Sequence, residues 1–88
     1  MDTQTKTLKK TSMMYLIEDI VLDITWAKIS KRYFPGKSTS WLYNKLRGVD
    51  GNGGDGHFTL AEKIQLRDAL LDFSERVRNA AHVVSAEI

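Results

Sequence analysis

Cysteine is absent from this chain, which excludes disulfides, thiolate nucleophiles and Cys-ligated zinc. That absence suits a reducing compartment, and a cytoplasmic protein is the expectation. Proline occurs once, at Pro35, and five of the six glycines fall between residues 48 and 57, so helices elsewhere meet few breakers. No apolar run approaches the roughly 18 residues that span a bilayer. Residues 1–10 are polar, and Glu18, Asp19 and Asp23 interrupt residues 13–24. That interruption rules out both a membrane span and a signal-peptide core. The two histidines, His57 and His82, stand far apart, and no Ser-His-Asp set is recognisable. The pairs Asp68/Asp72 and Asp72/Glu75 belong to an outer helix face. Catalytic carboxylates need a pocket, and a chain this small has little interior for one. No enzyme and no cofactor are expected.

What is present describes a globular domain. The 88 residues are 42% hydrophobic and 27% charged, enough for one domain with a modest core. Charge is unevenly placed. Residues 1–47 hold nine Lys/Arg against four Asp/Glu, net +5, whereas residues 48–88 hold four against seven, net −3. Residues 24–49 contain no acid but include Lys28, Lys31, Arg32, Lys37, Lys45 and Arg47. Such a stretch is either a solvated face or a phosphate-binding patch.

The pattern predicts an all-α, four-helix domain over residues 11–88, behind a flexible arm at 1–10. Its helices fall at about 12–24, 26–34, 39–47 and 60–84. Thr11 or Ser12 caps the first, whose apolar stripe is Met13, Ile17, Ile20, Val21 and Ile24. Thr25 caps the second, with Trp26, Ile29 and Tyr33 on one side and Lys28, Lys31 and Arg32 on the other. Pro35-Gly36 stops it. Ser38 caps the third, with Leu42 and Leu46 inward and Trp41 beside them. Gly48 ends it and opens a glycine-rich loop. Thr59 and Glu62 form a capping box for the long last helix.

Two short helices joined by a tight turn, the second opened by Ser or Thr, outline a helix-turn-helix. The segments are WAKISKRYF, PGK and STSWLYNKLRG. Free N–H groups at a helix start favour an anion, and small polar residues there can enter the major groove. The outward set is Thr39, Ser40, Tyr43, Asn44 and Arg47, in which Asn suits adenine and Arg suits guanine. Lys31, Arg32, Lys37, Ser38 and Lys45 are the expected phosphate contacts. The bland alternative is a helical hairpin with a merely polar face. At these residues the chain resembles phage-repressor-like helix-turn-helix domains, and FTLAEKIQLRDAL resembles the helix that follows the recognition helix there. The YFPGKS turn is about one residue longer than the compact turn of that group. A closer likeness is to a family of small uncharacterised Bacteroidales proteins. It rests on ITWAKISKRYF, GKSTSWLYNKLRGVDGNG and FTLAEKIQLRDAL. It implies the fold and no activity. The leading expectation is a DNA-binding protein acting on double-stranded DNA, a small regulator.

Two further readings stay open. With Gly54 omitted, residues 50–62 match an EF-hand ligand pattern through Asp50, Asn52, Asp55, the His57 carbonyl and Glu62. Against calcium stand the Gly54 insertion, the early stop at Gly48, the capping duty of Glu62 and the lack of a second loop. The other reading is a protein-interaction or structural module. In the last helix Leu66, Leu70, Phe73, Val77, Ala80 and Val84 form a 3-4 seam. Its first half is expected to pack on residues 13–24. Beyond about Phe73 the seam would serve a homodimer.

Overall fold

The computed structural model describes residues 12–52 and 54–88. The expected arm at 1–10 and the candidate cap Thr11 lie outside the described residues. The elements are α1 (Met13–Leu16), α2 (Glu18–Val21), α3 (Trp26–Tyr33), α4 (Thr39–Arg47) and α5 (Leu60–Ala86). The chain is all-α, with no strand among the described residues.

The expected first helix is two separate turns. Ser12 caps α1 by accepting the Tyr15 N–H at 3.2 Å. The ladder then breaks at Ile17 (φ −112°, ψ 29°). Ile17, Ile20, Val21 and Ile24 are β-branched within eight positions, which lowers helix propensity. The two turns also serve different neighbours. α1 packs on α4, while the Val21 carbonyl accepts the Trp26 indole N–H at 2.9 Å. Tertiary packing therefore overrides the continuous helix that the apolar period describes.

Thr25 stands at the N-cap of α3, but its side chain makes no cap hydrogen bond; its carbonyl accepts the Lys28 and Ile29 N–H groups. The Lys37 N–H donates to the Phe34 carbonyl at 3.1 Å, and Gly36 sits at φ 86°. Proline at the second position and a left-handed glycine at the third make this a type II turn. Gly48 ends α4 at φ 76°, with the Val49 N–H reaching back to the Asn44 carbonyl, a Schellman-type stop.

The core consists of Trp26, Ile29, Phe34, Leu42, Leu46, Phe58, Leu66 and Ala69. It joins α3, α4, the end of the loop and the first half of α5. Leu42 and Leu46 are fully buried, as their i,i+4 spacing requires. α5 packs on α3, pinned by side chains: Tyr33 donates to Asp72 at 2.6 Å, Arg76 donates to Tyr33 Oη at 3.2 Å and Gln65 donates to the Tyr33 carbonyl. The expected packing of residues 13–24 onto α5 is incomplete. An open apolar groove of about 810 Å³ separates them, lined by Ile17, Ile20 and Ile24 on one wall and Leu66, Leu70 and Phe73 on the other. Beyond Phe73 every residue of α5 is exposed, so the helix does outrun its domain.

Candidate nucleic-acid interface

α4 is amphipathic with a clean division. Leu42 and Leu46 anchor it in the core, while Ser40, Tyr43 and Arg47 face solvent and Thr39 and Asn44 are half-buried. Positions 40, 43, 44 and 47 share one helical flank. The Ser38 hydroxyl accepts the Trp41 N–H at 3.0 Å. The remaining N–H groups of the first turn point out of a helix end that holds no acidic residue, a favourable setting for an anion.

The candidate cations divide into two groups. Lys31, Arg32 and Lys37 are exposed. Lys37 Nζ lies 4.9 Å from the Trp41 ring centroid, and Arg32 lies 5.8 Å from that of Tyr33. Both remain at the surface, positioned by aromatic faces. Lys28, Lys31 and Arg32 rim a shallow hollow of about 590 Å³, which Arg76 joins from α5. Nothing in the α3 sequence points to Arg76, because only the fold brings it there. Asp23 is the acid on that rim.

Lys45 is placed differently from the rest. Its ammonium bonds the His57 carbonyl at 3.1 Å and Glu62 at 3.1 Å, and lies 5.7 Å from the Trp41 centroid. It fastens α4 to the start of α5 and is not held out toward a ligand. Asn44 and Arg47 are also engaged, with Arg47 donating to Asn44 Oδ1 at 2.8 Å. Arg47 keeps further N–H donors for another acceptor, and Asn44 keeps a second lone pair on Oδ1 and its amide N–H groups.

The glycine-rich loop closes on itself. Val49 and Asp55 form an isolated antiparallel bridge. Asp50 Oδ1 accepts the Asn52 and Gly54 N–H groups at 2.7 and 2.8 Å, an Asx-type turn. Glu62, the expected bidentate calcium ligand, completes the capping box by accepting the Thr59 N–H at 2.8 Å. That backbone bond, more than the Lys45 ammonium, holds its carboxyl below the ordinary value of 4.5. Asp50 and Glu62 are thus committed to the loop and to Lys45. Among the described residues no group of three or more acidic or histidine side chains is placed to hold a metal. The calcium reading gains no support from this arrangement.

Fold and site together define a small all-α domain whose two central helices and turn, themselves without an acidic residue, display one polar flank. Residues 13–84 match the family described as "Domain of unknown function (DUF5053)", and the chain belongs to it. No curated protein and no solved structure matches the chain. No helix among the described residues is long and apolar enough to cross a membrane.

Proposed function

We propose that this chain is a DNA-binding helix-turn-helix module, a small regulator that lays α4 in the major groove of double-stranded DNA. One observation carries the reading: Ser40, Tyr43 and Arg47 form a solvent-facing stripe on a helix fixed from behind by Leu42 and Leu46. A rigid backing is what a reading helix needs, since loosely held side chains lose discrimination. Lys37 and the capped start of α4 supply phosphate contacts at one end, and Lys31 and Arg32 supply them from α3. These contacts position the helix, and Tyr43, Asn44 and Arg47 read base edges. Thr39 and Ser40 are small enough to let the helix end approach the groove floor. The bridge-closed loop serves as a wing against the backbone.

The test is fluorescence anisotropy with labelled duplex DNA across a salt series. Binding that weakens with salt, with a log–log slope of about −0.9 per phosphate engaged, is expected. Lys37→Glu and Arg47→Glu should each lower affinity and flatten the slope. Failure to bind duplex at low salt would remove the proposal. A second reading is favoured by a separate feature, the apolar groove beside an exposed helix: a protein-interaction module that uses α5 and no nucleic acid.

A further inference from the structure

We infer that two copies of this chain form an antiparallel, two-fold dimer in which the overhanging half of each α5 fills the apolar groove of the other. The inference does not depend on DNA binding. Its first support is that the molecule carries both halves of the contact. The groove runs along α5 from Lys63 to Val77, about 21 Å at the helical rise. The overhang presents Val77, Ala80 and Val84 along one stripe, all exposed. An apolar helical stripe in water is stabilised chiefly by a partner. Because one surface supplies ridge and groove, a two-fold operation satisfies both at once and closes the assembly.

The second support is register. The seam Leu66, Leu70, Phe73, Val77, Ala80 and Val84 is symmetric about position 75. Antiparallel pairing centred there sets Leu70 against Ala80 of the partner subunit and Phe73 against Val77 of the partner subunit. Both pairs are layers of the kind antiparallel coils use. The same pairing brings Val84 of the partner subunit to the groove wall at Leu66, which is itself only 3% exposed in its own core. Small alanines at 80 and 81 let the helices approach to about 8–10 Å. The same register puts Lys63, a cation on the groove rim, opposite Glu87 of the partner subunit, so each end of the seam closes on opposite charges. Arg76, close to the two-fold axis, is drawn aside by Tyr33 Oη at 3.2 Å and by the Phe73 ring.

Sedimentation equilibrium on the full chain tests this. Twice the 10.0 kDa chain mass is expected at about 100 µM. Ala80→Glu should return the single-chain mass with helical circular dichroism preserved, because Ala80 is exposed and outside the core cluster. Lys63→Glu and Glu87→Lys should each weaken the dimer about tenfold, since two charge pairs are lost per dimer, and the double variant should recover it. A single-chain mass for the wild type at that concentration overturns the inference. So does a dimer that survives Ala80→Glu. Direction is read separately, because the chain has no cysteine of its own. Two Val84→Cys chains paired antiparallel hold the new thiols about 27 Å apart along the axis and should not cross-link. Ready disulfide formation would mean a parallel pair and defeat the register.

Discussion

At the scale of single residues, the junction between the loop and α5 shows how one carboxylate organises a corner. Glu62 accepts the Thr59 N–H, and Lys45 binds Glu62 from another helix. Thr59→Ala should cost about 1 kcal/mol, the usual penalty for a lost N-cap, read by urea denaturation. The Glu62 carboxyl lies below its ordinary value in the folded chain. Its contribution is therefore present above about pH 4.5 and is lost as pH falls through the lowered value. In Glu62→Gln that part of the acid-side loss should disappear, so the thermal midpoint should change less on acidification than in the wild type. Tyr33→Phe removes the hydroxyl shared by Asp72 and Arg76 and should cost about 1 kcal/mol. The capping box was legible because its partners stand three residues apart. The Lys45–Glu62 and Tyr33–Asp72 pairs were not, since they join segments that only the packed core brings together. For the same reason Lys45 reads as a phosphate contact in the sequence and as a clasp in the fold.

At the scale of elements, the two left-handed glycines set the directions of α3, α4 and the loop. A Cβ at Gly36 meets nothing, so Gly36→Ala carries only the conformational penalty of φ 86°, about 1 kcal/mol. At Gly48 the added Cβ would come within 2.8 Å of the His57 ring, an exposed side chain that can swing aside, so Gly48→Ala should cost at least as much as Gly36→Ala. Comparing the two melting curves checks the order. The sequence predicts α4 at its observed bounds, because Ser38 and Gly48 punctuate it and Leu42 and Leu46 mark its inner face. The apolar period of residues 13–24 predicts one helix, because periodicity reports which face is apolar and not whether the ladder is continuous. The groove beside α5 follows from that same break, and no pattern of residue types reveals space left unfilled. The outward flank of α4 was legible as a surface; its ligand is a matter of chemistry that spacing leaves open.

At the scale of the whole molecule, the radius of gyration is 15.0 Å, against about 12 Å for a compact chain of this length. The excess comes from α5, whose 27 residues extend about 40 Å. If that rod is shared between two copies, stability depends on protein concentration. The melting midpoint of the full chain should rise on concentration, and that of a chain truncated after Arg78 should not. The two tryptophans add a practical consequence. Trp26 is sealed in the core, while Trp41 is partly open beneath the Lys37 and Lys45 ammonium groups. One indole therefore reports unfolding and the other reports the surface. A polyanion that draws Lys37 off its ring would shift the emission of Trp41 with Trp26 as a fixed internal standard, giving an unlabelled optical titration from the native sequence.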